Sequence, residues 1–146
     1  MAAEQFPTDL KGEYREHIHL LDSDKAGWNK LSLMYEVEPA GEMPEAIADS
    51  HIVVISLENF IASFQFDRQW HHEQYTKGDI AIVPAGELFP RVRVDREVPL
   101  LDLFLSADAL VEGVGEAISS KTQLRSHLRL RDPLIEQMAL ALKTEL

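Results

Sequence analysis

Two pairs of side chains in this sequence have the residue types and spacing of metal ligands. His17 and His19 are two residues apart, as are His71 and Glu73. Residues two apart share one face of a β-strand, so each pair could offer two ligands to one metal ion. A catalytic metal site normally has three protein ligands and an open position. Because neither pair reaches three, we expect no metal and no other cofactor, and surface or structural roles for these residues.

Two arginines could instead hold an anion. Phe89, Arg91 and Arg93 alternate, so on an unbroken strand they share a face. If Phe89 points inward, both guanidinium groups need carboxylate partners or a small anionic ligand, because unpaired buried charge is costly. Alternatively, the intervening valines face the core and the arginines are solvated, or a bulge at Pro90 resets the register. We favour solvated arginines, and an anion pocket remains the alternative.

The remaining candidates for a ligand pocket are mostly aromatic. Such side chains can line a cavity, but they also fill the interior of a small barrel. His51 begins an apolar strand, where a histidine is more often a hydrogen-bonded core residue than a base or ligand. No catalytic residue is indicated by local spacing. The full set of pocket candidates is His51, Phe64, Phe66, Trp70, His72, Phe89 and Arg91.

Short strands must position these residues. Apolar or alternating segments separated by turn residues predict strands at 31–37, 51–57, 60–66, 70–75, 79–84, 90–94 and 99–105, with one more at 14–20. Turn signals recur about every 8–12 residues, which is typical of an all-β sandwich or barrel.

Two helices are predicted after the strands. Ser106 is a suitable N-cap for the first, which two glycines weaken. Asp132 as N-cap and Pro133 at the first helical position predict the second. We expect its apolar stripe to serve as a linker or dimer contact; it comprises Leu134, Ile135, Met138 and Leu142. Since no stop signal precedes Leu146, we also expect the native chain to continue.

One segment resembles a known motif. Residues 78–86 have the spacing G-x5-P-x-G, in which Gly78 and Gly86 can adopt positive φ and Pro84 stiffens the strand exit. This spacing resembles the second motif of the cupin fold. In metal-dependent cupins a histidine follows the last glycine by three positions, and Phe89 stands there instead. The H-x-H of the first motif resembles 17–19, but that pair lies far upstream, so the resemblance implies sensing rather than catalysis.

Three segments together extend the resemblance. Residues 75–86, 98–105 and 130–142 resemble, in this order, the N-terminal cupin-like domain of AraC-type transcriptional regulators. The resemblance implies a mainly β fold, a double-stranded β-helix (jelly-roll) barrel with one or two C-terminal helices. We accordingly expect an arm at 1–30, the barrel at 31–105 and the helices at 106–146.

The same resemblance predicts a regulatory role. In such regulators this domain senses a small molecule or dimerises, and a C-terminal pair of helix-turn-helix units binds DNA. After residue 131 there is room for one helix, so DNA binding would belong to a segment beyond this chain. We therefore expect a small-molecule effector, a homodimer and no enzymatic activity. The alternatives are a stand-alone metal-dependent cupin enzyme and a structural dimerisation module.

Composition supports an acidic domain with neither nucleic-acid nor membrane partners. The net charge of −11 repels phosphate backbones, so we expect no direct contact of this chain with DNA. There is no cysteine, which excludes disulfides and thiolate metal sites. No apolar run reaches the roughly 18 residues of a membrane span. The N-terminus lacks the features of a signal peptide, so we expect a cytoplasmic protein.

Overall fold

A computed structural model describes residues 17–108 and 126–146. Within them the chain forms twelve strands and one helix. The strands β1 to β12 are Ile18–Asp22, Leu31–Glu38, Gly41–Met43, Ala46–Ile47, Ser50–Ser56, Phe60–Phe66, Gln69–Tyr75, Ile80–Val83, Leu88–Phe89, Val92–Val94, Val98–Ser106 and His127–Leu130, and the helix α1 is Pro133–Thr144.

The strands form two main antiparallel sheets. The larger has six strands in the order β1-β2-β11-β5-β8-β12, and the smaller has four in the order β3-β10-β6-β7. Strands β4 and β9 make a short separate ladder. One core cluster includes Met34 and Phe104 of the larger sheet together with Phe60 and Val92 of the smaller, so the two sheets enclose a common interior. The fold is mainly β, a cupin-like jelly roll with a C-terminal helix, as the sequence predicts.

Period-two alternation gives the larger sheet a second apolar face. Leu33, Ile55 and Leu101 point away from the barrel interior and belong to a separate buried cluster. Helix α1 covers this outer face, and Ala139 at its centre is 0% exposed. The larger sheet is therefore buried on both faces, by the smaller sheet inside and by the helix outside.

The helix begins as predicted. The Asp132 carboxylate accepts hydrogen bonds from the backbone N–H groups of Leu134 and Ile135, at 3.0 and 3.2 Å, and Pro133 follows it in the first turn. The predicted apolar stripe divides, however. Ile135 and Leu142 pack against the sheet, whereas Leu134 and Met138 are 68% and 57% exposed. The two pairs lie on different sides of the helix, because the sheet covers only the side that carries Ala139.

Most predicted strands are confirmed within a few residues, and the strand predicted at 14–20 within the arm corresponds to β1, which pairs with β2. The short strands β3, β4 and β9 have no counterpart in the prediction. Strand β12 has none either, because its sequence HLRL carries charge between its leucines. Ser106 is the last residue of β11, and most of the helix predicted to follow it lies outside the described residues. In the described part of the chain, no helix is long and apolar enough to cross a membrane.

A candidate ligand cavity inside the barrel

A cavity lies between the two sheets, with a volume of about 60 Å³. This is room for several water molecules or part of a small ligand. Its wall is mostly apolar, with three carboxyl side chains. The lining residues are Glu36, Glu38, Met43, Val54, Phe60, Ala62, Phe64, Tyr75, Ala81, Phe89, Val92, Val94, Leu100 and Asp102.

An aromatic group forms one part of the wall. The ring centroids of Phe60 and Tyr75 are 4.9 Å apart, and those of Phe64 and Tyr75 are 6.4 Å apart. The Tyr75 hydroxyl donates a hydrogen bond to the carbonyl of Leu128 in β12. Burial is the main cause that raises the pKa of Tyr75, so the phenol stays neutral and acts as a donor. Tyr75 thus connects the cavity to the strand that precedes α1.

Carboxylates and one histidine form the polar part of the site. Glu36, Glu38 and Asp102 are 0%, 7% and 1% exposed. The His17 imidazole Nδ1 contacts Glu36 Oε1 and lies 2.9 Å from Glu38 Oε2. One ligand atom from each of His17, Glu36 and Glu38 lies within 4.8 Å of the others. Sequence reasoning did not bring these residues together.

Asp102 lies beside this cluster without a full set of partners. Among the described residues, its Oδ1 and Glu36 Oε2 have no hydrogen-bond donor, and Glu36 Oε1 has only its ion-pair contact with His17. Burial raises the pKa of Asp102 to about 8, with His17 opposing and Glu38 adding to the shift. A buried carboxyl group without donors is costly to retain.

Strand register explains the cluster. Glu36 of β2 lies opposite Leu100 of β11, and Glu38 lies opposite Val98. Asp102 is two residues from Leu100, so it shares their face of the sheet. The sequence does contain a signal for this cluster. One carboxylate interrupts the apolar segment 98–105, and two glutamates lie two residues apart in β2, which places both on one face of that strand.

The predicted metal pairs do not form. His17 is in the cluster, but His19 Nε2 lies 2.6 Å from Asp22 Oδ2, where the β1 register shifts. His71 is exposed beside the Phe66 ring, and Glu73 accepts a hydrogen bond from Arg129 at 3.0 Å. The absence of a metal site was predicted by counting ligands along single strands, and such a count misses ligands that neighbouring strands bring together.

Of the seven predicted pocket residues, Phe64 and Phe89 line the cavity. His51 instead accepts a hydrogen bond from the backbone N–H of Ala85 at 2.9 Å, which ties β5 to the turn before Gly86. His72 lies 2.5 Å from the Ser63 hydroxyl and is exposed.

The other three pocket candidates lie outside the barrel. Phe66 is 41% exposed near the end of β6. Trp70 packs under the Arg93 guanidinium, whose Cζ is 3.9 Å from the ring centroid. Arg91 donates to Glu42 at 2.6 Å. Phe66 and Trp70 do not reach the cavity because they flank the tight turn at the exposed end of the β6–β7 hairpin.

The two arginines face outward together. Arg91 and Arg93 both bond Glu42, at 2.6 and 2.7 Å, and Arg93 is the larger of the two causes that lower the pKa of Glu42. Phe89 and Val92 both line the cavity, although they are three residues apart. The chain leaves the strand at residues 90–91, between β9 and β10, and this break resets the register. The interruption considered at Pro90 therefore occurs, and the arginines do not form an anion pocket.

The cupin-like motif contacts the C-terminal segment. Gly78 and Gly86 have φ of +94° and +80°, as their turn roles require. Arg131 donates to the carbonyl of Lys77 at 2.8 Å and pairs with Asp79 at 3.2 Å. A Cβ added at Gly78 would clash with the Arg131 guanidinium. We call Gly78, Asp79 and Arg131 the Arg131 network; it joins the turn before β8 to the start of α1.

No protein-family model matches the chain, and no curated protein matches it. Several solved structures are similar in fold. The EutQ protein of Clostridium difficile is 9% identical over 74% of this chain and 80% of its own, with a TM-score of 0.49. A cupin domain from Bordetella pertussis is 14% identical over 64% of this chain and 100% of its own, with a TM-score of 0.46.

A hazelnut (Corylus avellana) vicilin is 16% identical over 60% of this chain, with a TM-score of 0.43, and this chain spans only 26% of its length. At these identities and scores, none of the three likenesses indicates a ligand or an activity for this chain.

Proposed function

We propose that this chain is the effector-binding domain of a cytoplasmic regulator resembling the AraC type, and that a small molecule binds in the barrel cavity. The observation that carries the proposal is the cavity itself, whose apolar wall is interrupted by buried carboxylates. In this proposal the chain is not an enzyme, and DNA binding resides in a helix-turn-helix region outside it.

A contact path from the cavity to the helix supports a sensing role. Tyr75 lines the cavity and donates to the Leu128 carbonyl. Leu128 belongs to β12, and Arg131 follows that strand and precedes α1. A ligand that moves Tyr75 would displace the strand that carries the helix. Such a shift regulates only if the ligand binds one arrangement more tightly than the other.

A homodimer is also part of the proposal. Leu134 and Met138 are one helical turn apart and exposed, while the adjoining side of α1 packs against the larger sheet. A second copy of the chain could cover this pair, and the helix would then report the state of the barrel to the dimer interface.

Thermal unfolding in the presence of a library of small metabolites tests the proposal. A ligand at about 100 times its Kd stabilises the folded state by about 2.7 kcal/mol. We expect at least one compound to raise the Tm of the wild type and not that of Ala62→Leu, which fills the cavity. Ala141→Leu, on an exposed side of α1, is the matched control and should respond as the wild type does.

Two outcomes would contradict the proposal. If no compound raises the wild-type Tm, the structural dimerisation module becomes the better account. If a compound stabilises Ala62→Leu as much as the wild type, it binds somewhere other than the cavity.

A further inference from the structure

The histidine–carboxylate cluster can converge on a single ion. His17 Nδ1, Glu36 and Glu38 place one ligand atom each within 4.8 Å of the others, a spacing that one central ion can bridge. Glu36 and Glu38 both line the cavity. We propose that His17, Glu36 and Glu38 form a binding site for one divalent transition-metal cation inside the barrel.

A second observation at the same place points to a missing positive charge. Asp102 is 1% exposed, lines the same cavity, and its Oδ1 has no donor among the described residues. For Glu36 and Glu38, the ion-pair partner in the described part of the chain is His17 alone. Within residues 17–108 and 126–146, three buried carboxyl groups thus share one imidazole, and a dication would satisfy the oxygens that lack donors there.

The donor set selects the kind of cation. Mg²⁺ and Ca²⁺ are held mainly by oxygen ligands, whereas an imidazole with carboxylates suits Mn²⁺, Fe²⁺ and Zn²⁺. A bulkier organic cation fits less well, because the ligand atoms lie too close together to surround it. The site also differs from the cupin motif that the sequence resembles, since Phe89 occupies that motif's histidine position. It goes beyond the proposed sensing role and stands without it.

Metal titration of the EDTA-treated chain tests the inference. Calorimetry with ZnCl₂ and, separately, MnCl₂ should show one saturable site per chain for at least one of the two metals. That metal should also raise the Tm of the wild type. His17→Gln and Glu38→Gln should each weaken binding by more than the roughly 10–100-fold that loss of an outer-shell partner costs. His19→Gln, a histidine bonded outside the cluster, should bind as the wild type does.

Glu36→Gln separates a metal site from a structural ion pair. It replaces a buried carboxylate by a neutral group of the same shape. The metal-free variant should melt no lower than the metal-free wild type and should lose the metal-dependent rise in Tm. The inference is overturned if neither metal binds the wild type at a single site, or if the cluster variants bind as tightly as His19→Gln. It is also overturned if metal-free Glu36→Gln melts lower than the wild type, which would make the His17–Glu36 contact structural.

Discussion

Asp102 lies in the middle of the apolar strand β11, yet its carboxyl group faces the cavity. Its neighbours Leu101 and Leu103 pack on the outer face of the sheet. Burying a carboxyl group without donors lowers the free energy of unfolding. An apolar residue of similar size would pack there at lower cost, so a buried carboxyl group at this position is what the proposed binding site would require.

Replacing Asp102 by Leu should therefore stabilise the ligand-free chain. We expect the free energy of unfolding to rise by about 1–3 kcal/mol, since the substitution removes the desolvation cost of a buried polar group. Urea unfolding in EDTA measures the change. Glu87→Gln, which changes an exposed carboxylate, is the control, and its urea unfolding midpoint should equal that of the wild type within error. A loss of stability in Asp102→Leu would show that the carboxyl group has structural partners.

Gly78 offers a second test at this scale. Gly78→Ala meets both a positive φ and a clash with Arg131 and Glu136. Gly86→Ala meets a similar φ with nothing within 4 Å. A left-handed backbone costs an alanine about 1–2 kcal/mol. We expect chemical denaturation to show that Gly86→Ala lowers the free energy of unfolding by about that much, and that Gly78→Ala lowers it by clearly more. Equal losses would mean that the Arg131 network adapts freely.

Among the elements, α1 shows what local signals can predict. Asp132 and Pro133 determine where it begins, because capping depends only on neighbouring residues. Which of its apolar residues are buried depends on where the sheet lies. Helical periodicity alone therefore could not predict that Leu134 is exposed and that Ile135 packs against the sheet. The β-strands follow the same rule. Strand β6 matches the predicted range because alternation and turn residues define it locally, whereas β12 is defined by its pairing with β8.

Paired substitutions on α1 test the dimer. Deletion of the helix would uncover the outer core, so a loss of dimer after deletion would not identify the interface. Leu134→Lys with Met138→Lys changes only exposed residues and should convert a dimer to a monomer in sedimentation velocity. Gln69→Lys with Gln74→Lys, both exposed on β7 of the smaller sheet, is the charge-matched control and should leave the dimer intact. A double variant that still dimerises would place the interface elsewhere.

The candidate site is a property of the whole molecule. Phe64 and Phe89 could be predicted as pocket residues because the interior of a small barrel is filled by the inward-facing side chains of its strands. The carboxylate cluster could not, because His17, Glu36 and Asp102 meet only through the register of β1, β2 and β11. The pairing of strands across the sheet depends on the packing of the complete barrel, so it cannot be inferred from the spacing of residues along one strand.

Tyr75→Phe tests whether the cavity and the helix are joined. The ring remains in the wall, but the hydrogen bond to the Leu128 carbonyl is lost. We expect a loss of about 0.5–1.5 kcal/mol in the free energy of unfolding, the usual net value of one hydrogen bond. Amide hydrogen exchange should become faster in β12 and α1. Tyr35→Phe, on the outer face of β2, is the control, and equal exchange in the two variants would contradict the connection.

Hydrogen exchange of the wild type, with and without the compound that stabilises it, tests the central claim most directly. The proposed sensing role predicts slower exchange in strands that line the cavity and also in β12 and α1, which lie outside it. Slower exchange in the cavity strands alone would describe a binding barrel that does not signal. No change in the cavity strands would contradict the claim that the barrel is the binding site.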